Sequence, residues 1–267
     1  MNLELLKKQN IHPSKKLGQN FLIDKSILEK IIESAKLSKN DIVLEIGPGL
    51  GALTQTLARG AKNVIAVEKD KKLAAMLERS LSKYQNIEIL SGDILKLSII
   101  NDKLSIINDY KIIANLPYNI ALPVIRKFIE AENPPKEMIL MVQKEVAEKI
   151  CSQKSSLPKI AIEFYAKPEI LFSVPKKSFW PQPKVDGAVI KITNIQKNIP
   201  KVNEELFFKI LKLGFSHPRK TILNNLSKSF EKEKTKNWLK LANINPQNRP
   251  ENLNLKEWLK LVNSFNF

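Results

Sequence analysis

The chain has 267 residues, of which 43% are hydrophobic, enough for one large core and a smaller second one. Its net charge of +17 favours a polyanionic partner, and its single cysteine, Cys151, excludes a disulfide framework within the chain. No apolar stretch is long enough to span a membrane and two histidines do not indicate a zinc site, so we expect a cytoplasmic protein without a bound metal.

The first predicted elements surround a glycine-rich turn. A helical spacing of apolar residues covers Lys25–Lys36, and the apolar run Asp41–Ile46 predicts a buried strand. The turn Gly47–Gly51 leads from this strand into a second helical pattern, Ala52–Arg59, so a ligand can approach the backbone closely there. Its G-x-G-x-G spacing differs from the G-x-G-x-x-G of dinucleotide folds, and it lacks the Gly-Lys-Ser/Thr of a P-loop.

The next two predicted strands each end near an acidic residue. Asn63–Val67 precedes Glu68, and Ile87–Leu90 is followed by Asp93. The first carboxylate can accept from both hydroxyls of a ribose, and the second can accept from an adenine amino group. A single acid of this kind is more often a solvated cap, but the ordered set indicates a nucleoside cofactor. S-adenosylmethionine fits better than NAD, which needs a turn that binds pyrophosphate.

The fourth predicted strand, Lys111–Ala114, ends at the segment Asn115-Leu116-Pro117-Tyr118. In open α/β sheets, ligands bind at this end of the strands. The Asn115 side-chain oxygen and the Leu116 carbonyl, which the following proline keeps extended, can accept both N–H bonds of an adenine amino group, and Tyr118 can stack on the base. Alone, such a segment is more often a strand-to-turn junction with a core tyrosine. Together with the upstream residues, it predicts methylation of an exocyclic amino group on a base.

The remaining patterns indicate two domains. Further strands are predicted at Met138–Val142, Glu163–Tyr165 and Val185–Ile192. Amphipathic helices are predicted at Glu204–Leu213, Lys220–Ser229, Thr235–Leu241 and Leu255–Val262. A polar break at Asn194–Pro200 separates the two groups, so we place one domain at residues 1–195 and a helical domain at residues 196–267.

A family resemblance extends, in order, over nearly the whole chain. It rests on Lys16–Leu22, Glu45–Thr54, Val67–Asp70, Gly92–Leu95, Asn115–Ile120, Val142–Ala147, Phe179–Asp186 and Arg219–Leu226. These segments closely resemble the ribosomal RNA adenine dimethyltransferases. The resemblance implies an α/β fold, with a Rossmann-like, seven-stranded class I methyltransferase domain and a small all-helical C-terminal domain. It also implies S-adenosylmethionine-dependent dimethylation of the N6 amino groups of two adjacent adenosines near the 3′ end of 16S rRNA, in the small ribosomal subunit or its precursor, during ribosome biogenesis.

The resemblance assigns roles residue by residue. Positions that match cofactor contacts are Asn20, Leu22, Gly47, Glu68, Asp93 and Asn115. Positions that match the catalytic residues around the target adenine are Asn115, Leu116, Pro117, Tyr118 and Phe179. The N-terminal arm, residues 1–24, is expected to fold over the cofactor. The helical domain is expected to contact RNA through Arg219 and Lys220, because positive charge is present in both parts of the chain.

The chain departs from the family pattern at three places. The segment Ser155–Ala161 replaces a longer run, so RNA contacts of this loop cannot be transferred from the family. Gly187 stands where a serine is usual, and Pro218 stands where an arginine is usual. The last difference removes one basic side chain next to Arg219.

Three other functions are compatible with parts of the pattern. A large-subunit rRNA adenine N6-methyltransferase would share the catalytic residues, but the segments Phe179–Asp186 and Arg219–Leu226 favour the small-subunit enzymes. A largely non-catalytic subunit-assembly factor would not require Glu68, Asp93 and Asn115. A DNA adenine methyltransferase would share the Asn-x-Pro-Tyr chemistry, and RNase sensitivity of the substrate would exclude it. We expect the protein to act as a monomer.

Overall fold

A computed structural model describes residues 12–14, 17–97, 109–196 and 202–265. The chain forms two compact units, one of residues 1–147 and 167–197 and one of residues 148–166 and 198–267. The second unit therefore takes in residues 148–166, which we had assigned to the first domain. Parts of the expected arm, residues 1–11 and 15–16, and of the polar break, residues 197–200, lie outside the described residues.

The strands and helices alternate through the first unit. The strands are β1 (Phe21–Leu22), β2 (Ile42–Ile46), β3 (Asn63–Glu68), β4 (Ile87–Ser91), β5 (Tyr110–Asn115), β6 (Glu137–Gln143), β7 (Lys167–Val174), β8 (Phe179–Trp180) and β9 (Gly187–Thr193). The helices up to residue 151 are α1 (Lys25–Ala35), α2 (Ala52–Gly60), α3 (Lys71–Ser80), α4 (Ala121–Ile129) and α5 (Lys144–Cys151).

One seven-stranded sheet organises this unit, in the order β4-β3-β2-β5-β6-β9-β7. The neighbouring strands from β4 to β6 are parallel, whereas β9 pairs antiparallel with both β6 and β7. The predicted α/β fold with a seven-stranded sheet is confirmed. Because β2, β3 and β5 are parallel, the residues that follow them meet at the same edge of the sheet.

The central strands are apolar because both of their faces are covered. Val43 of β2, Ile113 of β5 and Ile139 of β6 belong to one buried cluster, into which α1 inserts Ile31 and Ala35. Burying a side chain of this size contributes roughly 1.5–3 kcal/mol. This core fixes the sheet beneath the glycine-rich turn.

The second unit is helical. Its helices after residue 151 are α6 (Leu157–Glu163), α7 (Glu204–Gly214), α8 (Ile222–Leu226), α9 (Lys232–Leu241) and α10 (Leu255–Asn263). Trp258 of α10 is fully buried and lies where any side chain on Gly214 would clash, so the glycine permits the close approach of α7 and α10. Thr221 caps α8 by accepting a hydrogen bond from Asn224 N–H, so α8 begins later than the helix predicted from residue 220.

The strand predicted at Glu163–Tyr165 is wrong. Glu163 is the last residue of α6, and the strand that follows, β7, begins at Lys167. Phe164 stacks on Phe207 with ring centroids 4.3 Å apart, inside the second unit. A three-residue pattern with only two aromatic residues is too short to distinguish a strand from the end of a buried helix.

Candidate active site

The glycine-rich turn between β2 and α2 has backbone angles that favour glycine. Gly47 has φ 67° and Gly49 has φ 58°, both in the left-handed region. A side chain on Gly49 would come within 3.0 Å of the Phe21 ring, and one on Gly47 would contact Pro117. The turn therefore presents bare backbone to a space bounded by the arm and by the segment after β5.

Glu68 lies at the end of β3 and is buried, with 5% of its surface exposed. Its Oε2 accepts a hydrogen bond from Gly49 N–H at 3.1 Å, and its Oε1 accepts one from Asp70 N–H at 2.8 Å. Burial raises the pKa of this carboxyl, and these two backbone hydrogen bonds partly oppose the rise. Each oxygen retains a lone pair, so the side chain can also accept from hydroxyl groups of a ligand.

Asp93 follows β4 beside the same space. Its Oδ2 forms an ion pair with Lys69 at 2.8 Å, and its Oδ1 accepts a hydrogen bond from Leu95 N–H at 3.1 Å. The bond from Lys69 and the bond from Leu95 hold the pKa of Asp93 below its ordinary value despite partial burial. Asp93 is therefore an ionised acceptor at neutral pH.

The segment after β5 is fixed by backbone bonds. Leu116 N–H donates to the Met141 carbonyl at 3.1 Å, and Ile120 N–H donates to the Pro117 carbonyl at 3.1 Å. The Asn115 side-chain nitrogen donates to the Asn20 carbonyl at 3.4 Å. Because its nitrogen faces the arm in this way, the Asn115 amide oxygen is the acceptor that remains for a ligand.

Tyr118 and Phe179 form an aromatic pair with ring centroids 6.5 Å apart and an interplanar angle of 69°. The two rings therefore form an edge-to-face corner, in which a base can stack on one ring and meet the edge of the other. The Tyr118 hydroxyl is buried and has no hydrogen-bond partner within the described residues. Burial and then the nearby Asp186 raise its pKa to about 12, so Tyr118 is neutral.

A two-stranded ladder joins the arm to this aromatic corner. Strand β1 pairs antiparallel with β8, with Leu22 opposite Phe179. Ser178 adds two bonds next to the ladder, because its carbonyl accepts from Ile23 N–H at 2.9 Å and its hydroxyl donates to Asp24 at 2.9 Å. Asp24 also caps α1, so one carboxylate connects the helix, the arm and the residue before Phe179.

A single pocket of the first unit brings the predicted cofactor and base residues together. The residues of both predicted sets that line it are Asn20, Leu22, Gly47, Glu68, Asp93, Asn115, Leu116, Pro117, Tyr118 and Phe179. Sequence reasoning missed Glu45, which lies inside β2, lines the pocket and is 1% exposed. Burial raises its pKa to about 8, and its Oε2 has no partner in the described part of the chain. In the sequence, Glu45 is one acidic residue within an apolar strand pattern, and this pattern does not show that its side chain lines a pocket.

Arg219 and Lys220 belong to the second unit, in an exposed loop of residues 216–221. The buried Asn225 side chain holds this loop: its oxygen accepts from His217 N–H at 3.1 Å, and its nitrogen donates to the His217 carbonyl at 3.0 Å. Lys228 lies 3.0 Å from the His217 ring nitrogens, and Lys228 is the main cause of the lowered pKa of His217. The loop is therefore a concentration of positive charge.

A family model described as "Ribosomal RNA adenine dimethylase" matches residues 10–266. The chain belongs to the ribosomal RNA adenine dimethylase family. Two proteins called ribosomal RNA small subunit methyltransferase A are close relatives. The one from Alkaliphilus oremlandii is 40% identical over 98% of this chain and 94% of its own. The one from Listeria welshimeri is 41% identical over 97% of this chain and 93% of its own.

Solved structures agree with this membership of the dimethylase family. A dimethyladenosine transferase from Plasmodium falciparum matches with a TM-score of 0.74 and 28% identity, over 90% of this chain and 95% of that one. The 23S rRNA methyltransferase ErmE matches with a TM-score of 0.72 over 92% of this chain and 99% of that one, and at 24% identity it shows the fold alone. Within the described residues, no helix is long and apolar enough to cross a bilayer, and no group of three or more His, Cys, Asp or Glu side chains is arranged to hold a metal ion.

Proposed function

We propose that this protein dimethylates the N6 amino groups of two adjacent adenosines near the 3′ end of 16S rRNA, with S-adenosylmethionine as the methyl donor. The convergence of the assigned cofactor and base residues on one pocket is the observation that carries the proposal. The family match over nearly the whole chain supports it, as do the relatives named small-subunit methyltransferases. Because all of these residues belong to one chain, we propose that the protein is active as a monomer. We also propose that it acts in the cytoplasm, where ribosomal subunits are made.

The residues of the pocket fit the cofactor. The bare backbone of the glycine-rich turn admits close approach, Glu68 can accept from the ribose hydroxyls, and the ionised Asp93 can accept from the adenine amino group. The orphan Oε2 of Glu45 adds a buried polar atom at the pocket wall. When bound, S-adenosylmethionine supplies an electrophilic methyl group.

The chain's own residues position and polarise the target base. The Asn115 side-chain oxygen and the Leu116 carbonyl accept from the two N–H bonds of the amino group, which favours a more tetrahedral and more nucleophilic nitrogen. Tyr118 stacks on the extruded base, which returns roughly 1–3 kcal/mol against an extrusion cost of a few kcal/mol. Acceleration comes from position and fixed dipoles. Asn115 does not titrate and Tyr118 is neutral, so neither is a general base, and the alkylated nitrogen loses its proton to solvent.

The RNA contacts proposed for the second unit are electrostatic. Arg219 and Lys220 lie in a loop that also carries His217 and lies next to Lys228. Phosphates are the groups that such a concentration of positive charge recognises, and affinity should fall steeply with salt. Sequence choice would then depend on the shape of the folded rRNA and on the base pocket, because A-form grooves hide base edges.

Mapping of the modified nucleotides tests the substrate. Immature small subunits, mature small subunits and large subunits, each prepared without the modification, are incubated with the protein and labelled S-adenosylmethionine, and the rRNA fragments are analysed by mass spectrometry. We expect two adjacent dimethyladenosines near the 3′ end of 16S rRNA. Methylation confined to large-subunit rRNA, or no transfer at all, would refute the proposal.

Charge reversal in the loop of the second unit tests the RNA contact. The double variant Arg219→Glu, Lys220→Glu leaves the buried residues unchanged, and a matched pair of exposed residues on α9, Lys234→Glu and Lys236→Glu, is the control. We expect weaker binding of small subunits and a flatter salt dependence for the loop variant, with unchanged cofactor binding. Equal binding by parent and loop variant across the salt series would exclude an RNA role for these two residues.

A further inference from the structure

The segment 175–186 encloses the buried Phe179 in a group of exposed side chains. Phe179 is 3% exposed, whereas its neighbour Trp180 points the other way and is 36% exposed. The other exposed residues that face solvent here include Lys176, Lys177 and Lys184. If the segment 175–186 served only to position Phe179, it would not require an exposed indole ring or three exposed lysine side chains.

Trp180 differs from the other tryptophans of the chain. Trp238 is 3% exposed and Trp258 is fully buried, so both are core residues of the second unit. Trp180 instead stacks on Phe21 of β1, with ring centroids 6.5 Å apart and an interplanar angle of 21°. Because Phe21 supports the indole from one side, the ring is pre-oriented and can stack on a planar group at low entropic cost.

The lysines of this segment have no ion pair within the described part of the chain. Asp186, the acid of the segment, uses its carboxylate to accept a hydrogen bond from the Lys176 backbone N–H at 2.9 Å. Three exposed lysines in the same segment as an exposed indole match the recognition of unpaired nucleic acid, in which bases stack on aromatic rings and phosphates meet cations.

We propose that Trp180, with Lys176, Lys177 and Lys184, forms a second nucleotide subsite, which takes the RNA nucleotide adjacent to the target adenosine. The inference rests on the proposed function and adds a substrate contact to it. Extrusion of the target base leaves its neighbour without a stacking partner. The indole replaces that partner, and the lysines bind the phosphates on either side of the extruded nucleotide.

Substitution of Trp180 separates this role from a purely structural one. We expect Trp180→Ala to raise the KM for small-subunit RNA roughly ten-fold, the effect of losing one stacked base, with the loss in KM rather than in kcat. Trp180→Phe, which keeps a ring, should restore most of the affinity. Leu241→Ala, at an exposed apolar residue of α9, is the control. If Trp180 only covers Phe21, its loss weakens cofactor binding and leaves the RNA KM unchanged, which overturns the proposal.

The lysines are tested by the salt dependence of binding. A triple variant, Lys176→Ala, Lys177→Ala and Lys184→Ala, should reduce the slope of log affinity against log salt by about 2, since each phosphate contact on a single strand contributes about 0.7. Lys30, Lys62 and Lys72 are exposed lysines of the same unit, and their triple alanine variant removes the same charge. Equal slopes for the two triple variants would overturn the lysine part of the subsite.

A spectroscopic measurement reports on the indole directly. Since Trp238 and Trp258 are buried, the tryptophan emission that acrylamide quenches comes from Trp180. An RNA fragment containing the target should shield this emission, and Trp180→Phe should lack the quenchable component. Unchanged quenching upon RNA binding overturns the subsite. Methylation by the parent is followed in the same samples, so its absence refutes the proposed function and its presence with unshielded Trp180 refutes the subsite alone.

Discussion

Buried polar groups differ between the two ends of the parallel strands in the main sheet. We call the end at which these strands begin the amino edge and the end at which they finish the carboxyl edge. At the amino edge, Lys111 of β5 is buried, and its ammonium group contacts Glu137 at 3.0 Å, Asp41 at 3.4 Å and the Ala35 carbonyl at 3.0 Å. Glu137 also pairs with Lys191 at 2.8 Å. Every charge of this group therefore has a partner of opposite sign within the fold.

At the carboxyl edge, buried polar atoms lack partners within the described residues. These atoms are Oε2 of Glu45 and the Tyr118 hydroxyl oxygen, and the Thr54 hydroxyl lies beside the Glu45 carboxyl, where it opposes the rise of the Glu45 pKa. Leaving a buried polar atom unpaired costs roughly 1–3 kcal/mol, so a fold keeps such atoms where a ligand can satisfy them or where they have another use. The charge network at the amino edge therefore supports the fold, whereas Glu45 and Tyr118 at the carboxyl edge line the pocket.

The largest effect is expected from a substitution that disrupts the charge network at the amino edge. Lys111→Met leaves the Asp41 and Glu137 carboxylates without their shared cation, and we expect a loss of roughly 3–5 kcal/mol in the free energy of unfolding. Denaturant titration measures it, with the exposed Lys30→Met as control. The folded variant should bind the cofactor like the parent. Parent-like stability would show that the network contributes nothing to the fold.

The pH dependence of that loss follows from two pKa shifts. Burial opposes ionisation of Asp41 and Glu137, but hydrogen bonds and the nearby lysines lower the pKa of each below its ordinary value. A carboxyl group whose pKa is lower in the folded state stabilises the fold at pH values above its pKa in the unfolded state. This contribution disappears as the pH falls through the pKa of the folded state. The difference between parent and Lys111→Met should therefore shrink in acid.

The next largest effect is expected from a substitution in the pocket at the carboxyl edge. Asn115→Ala removes the proposed side-chain acceptor for the target amino group. We therefore expect methyl transfer to slow roughly 10²–10³-fold at saturating cofactor, as when one fixed hydrogen-bond partner is lost. Stability should change little, since the amide makes only a 3.4 Å bond to the arm. Single-turnover kinetics measure the rate, with the exposed Asn40→Ala as control. Near-normal turnover would remove Asn115 from the catalytic group.

A smaller effect is expected at Glu68. Glu68→Ala should weaken cofactor binding by roughly 1.5–3 kcal/mol, the value of a charge-assisted hydrogen bond, while RNA affinity stays the same. Glu68→Gln keeps one acceptor and should lie between parent and alanine variant. Calorimetry measures the affinity, and the exposed Glu78→Ala is the control. Unchanged cofactor affinity together with lost stability would show that Glu68 serves only to hold the turn.

The last prediction sharpens the comparison through pH, with an effect that is small over any single pH unit. Because the Glu45 pKa is raised to about 8 from an ordinary 4.5, its stabilising contribution is complete below pH 4.5 and is lost as the pH rises towards 8. Glu45→Gln should abolish this loss, which amounts to at most about 1.4 kcal/mol per pH unit. Thermal unfolding from pH 5 to pH 8 measures it, with Glu33→Gln as the exposed control. A constant difference between parent and variant would contradict a protonated Glu45.

Sequence patterns predicted the carboxyl edge well because parallel strands carry their terminal residues to one place. Glu68, Asp93 and Asn115 each follow an apolar run, so their neighbourhood could be inferred without coordinates. Contacts that depend on chain folding rather than on local pattern could not be inferred. Asp24 meets Ser178 across 154 positions, and the ladder of β1 and β8 is too short to have a periodicity.

That short ladder connects the two proposed ligand positions of the pocket through one structural element. Phe179, at the proposed base corner, and Leu22, at the proposed cofactor side, lie opposite each other in the same ladder. If binding of one ligand stabilises this ladder, the other ligand meets a side chain that is already held in place and binds more tightly. By linkage, the factor by which cofactor tightens RNA binding equals the factor by which RNA tightens cofactor binding.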